Sequence, residues 1–328
     1  MAGGCGERFW PASQPAFPKQ FLTVFNNVPL INQTTDRIKP SFRKNERALI
    51  IPQELKRLTL RHVGKEHVII EPMRRNTAPA ICLAAMVLHK KHGDGIVHIM
   101  PADHLISPRK SFLAALRYAE HYAARGYLVT YGIHPDRPET GYGYITIGKK
   151  LGARGRIHAF CGRGFTEKPS LRTARNYLKT RRYLWNSGIF TFRIEHILDE
   201  IKSCAPAIYK GVAQYVKTGE KKHFRRVPNI SIDYAVMEKS NDICVIKGSF
   251  SWDDVGSWRA LERYFKQNKQ GNIFLGDAQG LETEDSILYT HGPPLKAYGI
   301  KGLIVVVSPH GVLVCHKEKA PYLKNLLK

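Results

Sequence analysis

"TAPAICLAAMVLHKKHGDGIVHIMPADH", residues Thr77–His104, sets a helical stretch directly against a strand and ends in polar residues. The first part has apolar residues at helical spacing, Thr77 placed to cap it, Pro79 in its first turn and Gly93 at its end. "GIVHIMPADH" then reads as an apolar strand that runs out into Asp103 and His104. The same alternation extends outward. "RALIIP" (47–52) and "HVIIEP" (67–72) read as strands, "RKSFLAALRYAEHYAARG" (109–126) as a helix stopped by Gly126, and "YLVTYGIHP" (127–135) as the next strand. Strands alternating with helices predict an α/β domain with a mainly parallel sheet covered on both faces. Ligands of such sheets gather beyond the carboxyl ends of the strands, where the polar motifs of this chain fall.

The texture changes after "WDDVGSWRALERYFKQNKQGN" (252–272). From about residue 270 the chain breaks into short strand-like pieces, among them "IFLG", "SILYT" and "LIVVV", and closes on the helical "APYLKNLLK". This predicts an α/β unit over 1–268 and a small all-β unit over 269–328.

Composition narrows the function classes. The 328 residues carry 51 basic and 27 acidic side chains, a net charge of +24. A generally basic surface accounts for this, and so does attraction to nucleic acid, an acidic membrane or phosphorylated small molecules. The basic residues are spread out, without a tail or an RNA-binding signature, which argues against a dedicated nucleic-acid binder. Six separated cysteines form no CxxC pair, so neither a zinc site nor a disulfide framework is expected, only free thiols. The longest apolar runs are strand-sized and no signal peptide is visible, so a soluble cytoplasmic protein is expected.

Four groups of residues bear on chemistry. "MAGGCGERFWPASQPAFPKQFL" (1–22) holds Gly3, Gly4, Gly6, Arg8 and Lys19. It lacks the P-loop spacing, and Phe9 stands where the dinucleotide fingerprint needs glycine. What remains is a loop whose backbone N–H groups can face phosphate oxygens, with Arg8 to grip them. "EPMRRNTAP" places Arg75 and Asn76 before a helix start, suited to an anion or to an ordinary cap at Thr77. Asp103, with Asp253 and Asp254 of "WDDVGSW", offers either Mg²⁺ ligands or turn caps. "PETGYGYI", "FTEKPS" and "LWNSGIF" mix Gly143, Glu167, Lys168 and Asn186 with aromatics, a set suited to a sugar or to plain turns. "SIDYAVMEKS" looks amphipathic, and its Asp233 and Glu238 lie within reach of such a ligand.

In this order the stretches "AGGCGERFWPAS…PKQFL", "EPMRRNTAPAI", "PADHLI", "GIHPDRPETGYGYI", "FTEKP", "YLWNSGIFTFR", "SIDYAVMEK" and "WDDVGSW" resemble the mannose-1-phosphate guanylyltransferases, among the nucleotide-sugar pyrophosphorylases. The resemblance runs from residue 2 to the C-terminus; "RNTAP", "PKQFL" and "DVGSW" are the motifs most specific to the guanylyl branch. It implies a Rossmann-like nucleotidyltransferase domain with a mixed sheet, a short β-helix-like domain and a homodimer. The chain ends where the short form of the family ends, so no isomerase domain is expected. The implied reaction joins GTP and mannose 1-phosphate into GDP-mannose and pyrophosphate, with no membrane or specific nucleic-acid partner.

By the same resemblance, Arg8 and the backbone of Gly3, Gly4 and Gly6 hold the GTP phosphates, and Lys19 stabilises charge at the α-phosphate. Asp103 and Asp254, not Asp253, hold Mg²⁺. Arg75, Asn76 and Thr77 lie near the nucleotide, while Gly143, Glu167, Lys168 and Asn186 line the sugar phosphate. The chain departs from the family at Glu7, where threonine is usual, and at Gln14, where a cation is usual. The apolar strand that leads into the glycine loop in the family is also missing, so a few apolar residues are expected ahead of Met1.

Overall fold

The computed structural model describes residues 1–4 and 6–327; Cys5 and Lys328, the last residue of the expected final helix, lie outside them. Ten strands build the larger unit: β1 (Ala48–Pro52), β2 (His67–Glu71), β3 (Ile96–Ile99), β4 (Leu105–Ser107), β5 (Leu128–Ile133), β6 (Gly143–Arg154), β7 (Ile157–Glu167), β8 (Tyr183–Arg193), β9 (Ile243–Lys247) and β10 (Ser251–Asp253). Its helices are α1 (Leu30–Ile38), α2 (Lys56–Val63), α3 (Thr77–His92), α4 (Arg109–Ala123), α5 (Leu171–Thr180), α6 (Ile194–Cys204), α7 (Pro206–Thr218) and α8 (Lys221–Arg225).

The main sheet has the order β3-β8-β5-β9-β7-β6 and is mixed, as expected. The parallel share is smaller than alternation implied. β5 pairs parallel with β9 and β1 with β2, whereas β3–β8, β8–β5, β9–β7 and β7–β6 are antiparallel. The cause is the long hairpin β6–β7, turned at Gly155 (φ 59°), after which β8 runs back between β3 and β5. β3, β5 and β9 still run in one direction, so their carboxyl ends share one edge of the sheet.

Each face of the sheet has its own core. Ile81, Phe192, Ile197, Val212 and Phe224 gather α3, α6 and α7 on one side; Phe112, Leu116, Tyr131 and Trp185 seat α4 on the other. Burying side chains of this size stabilises by roughly 1.5–3 kcal/mol each. α3 is capped by Asn76 (φ 70°), whose Oδ1 accepts the Thr77 N–H at 2.8 Å. The expected Thr77 cap is thus corrected: the Thr77 hydroxyl accepts from Ile232 N instead and pins the helix start to that loop.

The C-terminal unit contains β11 (Ile273–Leu275), β12 (Ala278–Leu281), β13 (Ile287–Thr290), β14 (Leu295–Tyr298), β15 (Leu303–Ser308) and β16 (Gly311–His316). β11, β13 and β15 stack as parallel rungs, β12 and β14 as a second parallel pair, and β16 closes β15 antiparallel. Ile273, Ile287 and Ile304 fall in register and fill the coil. The closing segment Lys317–Asn325 is helical, as expected, and takes the 3-10 form, with Pro321 inside it supplying no N–H.

This β unit packs on the N-terminal loop. Phe9, Leu22, Val255 and Trp258 share one core with Ile287, Ile304 and Leu313, and Trp258 Nε1 donates to the Trp10 carbonyl at 3.0 Å.

Candidate active site

The glycine loop begins between two strands. Ala2 N donates to Ile50 O, and Gln20 Nε2 reaches the Ala2 carbonyl at 2.9 Å. Gly6 sits at φ 67°, and a Cβ there would stand 2.4 Å from Lys19 Cβ, so only glycine fits. Gly3 faces the Glu71 carboxylate, while the space around Gly4 is open. Arg8 is exposed on a short turn, with Nη1 3.2 Å from where a Gly256 Cβ would be, which places it beside Asp254.

Lys19 is buried and joins the two carboxylate loops. Its Nζ donates to Asp103 Oδ2 at 2.8 Å and to the Asp254 main-chain carbonyl at 2.5 Å. Burial would raise the Asp103 carboxyl, but the Lys19 ammonium and His104 prevail and hold it at about 2. Tyr142 OH donates to Asp254 Oδ1 at 2.6 Å, and burial with the nearby Asp254 pushes that phenol well up, so it stays a donor. Asp253 points elsewhere, paired with Arg263 and accepting from Val255 N, its carboxyl net lowered by Arg263 despite burial. Val255, the residue after Asp254, sits at φ 42°, a strained conformation for a β-branched residue. Among the described residues Asp254 Oδ2 makes no hydrogen bond, and Asp103 Oδ1 makes none either, with His104 Nε2 3.8 Å from it. Oxygen-only donors of this kind fit a hard divalent cation.

Tyr142 links this centre to a second group. Its ring lies 5.2 Å from Trp185 and 5.1 Å from Trp252, and the Arg137 guanidinium stacks 4.8 Å from Trp185. A Cβ on Gly143 would meet Glu167 Oε2 at 2.4 Å, so this glycine makes room for Glu167, which pairs with Lys168 (φ 48°). Asn186 is buried and committed on both sides: Thr130 Oγ1 donates to its Oδ1, and its Nδ2 donates to Asp233 Oδ1 at 2.8 Å. Burial and then Glu167 push Asp233 up to about 6, and Glu238 rises for the same two reasons. Asp233 opens a π-helical turn, Asp233–Met237, a form often found at functional sites.

Arg75, Asn76 and Thr77 form the third group. Arg75 N donates to Glu71 Oε1, and its guanidinium turns to the Arg225 carbonyl at 2.6 Å. Burial, opposed by that N–H, raises Glu71 to about 7. Glu71 thus joins this group to Gly3. Glu71 and Tyr142 do not stand out in the sequence, although both lie inside "EPMRRNTAP" and "PETGYGYI".

The chain matches the Nucleotidyl transferase family over residues 1–271 and the MannoseP isomerase/GMP-like beta-helix domain over 276–328. It is 36% identical over 345 residues to a mannose-1-phosphate guanylyltransferase of Escherichia coli, covering 100% of this chain and 74% of that one. It is 37% identical over 346 residues to mannose-1-phosphate guanylyltransferase ManC of Salmonella typhimurium, covering 100% and 72%. Among solved structures it is similar to the protein from Thermus thermophilus named mannose-1-phosphate geranyltransferase: TM-score 0.89, 32% identity, 100% of this chain and 96% of that one.

Proposed function

The chain belongs to the mannose-1-phosphate guanylyltransferase branch of the nucleotidyl transferase family, and from that membership we propose that it converts GTP and mannose 1-phosphate into GDP-mannose and pyrophosphate. The observation that carries the reading is Lys19 held between Asp103 and the Asp254 carbonyl, at the mouth of a glycine loop and beside Arg8.

A phosphate oxygen of the sugar phosphate attacks the α-phosphorus of GTP; the bond from that phosphorus to the α–β bridging oxygen breaks and pyrophosphate leaves. The attacking phosphate, with a second pKa of about 6, is already largely ionised at neutral pH, so no general base is needed. The protein's task is positioning and charge neutralisation. Arg8 and the loop N–H groups hold the triphosphate, and Lys19 faces charge developing at the α-phosphate. Asp103 and Asp254 would hold a divalent cation, Mg²⁺ in this proposal, which offsets phosphate charge when bound. Glu167, Lys168 and Asp233 meet the sugar phosphate, with Asn186 fixing Asp233. Arg75 and Thr77 shape the nucleotide side through Glu71 and the 230–232 loop.

Residues 1–268 form the catalytic unit in this reading, and 269–328 support it. No helix of the described chain is long and apolar enough to cross a membrane; the cytoplasm is the proposed location. A homodimer is part of the same proposal, and exposed Val312 and Val314 on the outer strand β16 supply apolar surface for it.

Pyrophosphate release measured with GTP and mannose 1-phosphate, against ATP, UTP and glucose 1-phosphate, tests the assignment. Release should require a divalent cation, prefer the first pair and fall to near background in Asp103→Ala and Asp254→Ala. Undiminished release by Asp103→Ala would remove the assigned centre.

A further inference from the structure

The fold brings together two cysteines that lie far apart along the chain. Cys161 of β7 and Cys244 of β9 are direct partners in the antiparallel register that sets 158–161 against 244–247. Among the described residues every cysteine is a free thiol, these two included. Opposed residues of such a pair point to one face of the sheet and stand about 4.5 or 5.5 Å apart at Cα. A disulfide bridges Cα separations of roughly 4.4–6.8 Å, so either spacing suits one. The face is the one that α4 covers, because Ala159 and Ile246, the next opposed pair on it, share a core with Cys244.

The two thiols differ in setting. Cys244 is fully buried, and burial, then the Cys161 thiol beside it, pushes its thiol up. Cys161 is half-buried. On its other side β6 is irregular: the β6–β7 register shifts between Ile147, opposite Gly162, and Lys150, opposite Phe160. Cys161 falls at that break, where a bulged neighbour leaves the strand room to adjust. Gly162 follows, and a Cβ there would stand 2.5 Å from Ile243 Cγ2, so β7 lies close against β9 at this point.

We propose that Cys161 and Cys244 are a modification site, closed into a disulfide by hydrogen peroxide and reopened by a dithiol. Peroxide reaches the half-buried Cys161 first. The Cys161 sulfur gives up its proton and attacks the O–O bond; one oxygen stays on sulfur as a sulfenic acid, and the other leaves as water. The Cys244 sulfur then attacks the Cys161 sulfur, the S–S bond forms, and the hydroxyl departs with the Cys244 proton as a second water. The two thiols together lose two electrons, and the peroxide is reduced to two waters. A dithiol reopens the bond by exchange and leaves as its own disulfide. When closed, the bond ties β7, which ends at Glu167, to β9, which leads on to β10 and Asp253.

Peptide mapping of the native chain after peroxide treatment and alkylation of the remaining thiols tests this. Trypsin cleavage after Arg156, Arg163, Lys239 and Lys247 isolates the two cysteines in peptides 157–163 and 240–247. Mass spectrometry should find these two joined, lighter by two hydrogens than their sum, as the dominant cysteine pairing, and dithiothreitol should separate them. Cys161→Ser should leave Cys244 a thiol under the same treatment. The proposal is overturned by the absence of the joined peptide, by its being no more abundant than other pairings, or by Cys161 carried on to sulfinic acid with Cys244 still a thiol. Should Cys161→Ser fail to fold, the parent chain decides by the same three results.

Discussion

Lys19 carries two duties at one atom. Its ammonium keeps Asp103 ionised and ties the 103 loop to the 254 loop, and the same charge faces the α-phosphate in the proposed reaction. Lys19→Met should therefore lower kcat by about 10²–10³-fold, the scale of removing one positioned donor, and a steady-state assay reads it directly. Retention of near-normal kcat would reduce Lys19 to a structural tie. Glu71 gives a separate residue-scale test through pH. Its carboxyl binds a proton more tightly in the folded protein, at about 7 against 4.5. Stability should then fall as pH rises from about 4.5 to about 7, by an order of ~3 kcal/mol from this group. Denaturant unfolding of Glu71→Gln across that range should show a shallower decline than the parent chain; parallel curves would contradict the assigned burial.

At the scale of elements, the β unit braces the glycine loop. Trp258 is fully buried, its ring 5.1 Å from Phe9, with its indole N–H on the Trp10 carbonyl. Trp258→Ala should cost about 3–5 kcal/mol of stability and raise the KM for GTP, because Arg8 sits on the turn that Phe9 anchors. Calorimetry with substrate titration checks both, and a stability loss without a KM change would separate the β unit from the site. Much of this was legible in the sequence. Asp103 at a strand exit and Gly6 beside Arg8 lie in short stretches that mark themselves, while the choice of Asp254 over Asp253 came only with the family resemblance. Pairing direction was not legible, because alternation of helix and strand records order along the chain and not which strand comes to lie beside which. The cap of α3 went to Asn76 over Thr77 for a similar reason: the Thr77 hydroxyl is drawn off by Ile232, a partner far away in sequence. Tyr142 was hidden because its importance comes from Asp254, on the other side of the fold.

Across the whole molecule, three sets of loops meet at one edge of the sheet: the glycine loop with Lys19, the carboxylate pair, and the Glu167–Asp233 group joined through Tyr142. The net charge of +24 suits a protein whose proposed substrates are both anions, and it favours their approach at low ionic strength. The central claim is that an oxygen of the sugar phosphate attacks the α-phosphorus. Mannose 1-phosphate bearing oxygen-18 in its non-bridging phosphoryl oxygens, incubated with GTP and the protein, tests this by mass spectrometry of the products. All of the label should appear in GDP-mannose and none in pyrophosphate. Label in pyrophosphate, or no labelled nucleotide sugar at all, would contradict the account.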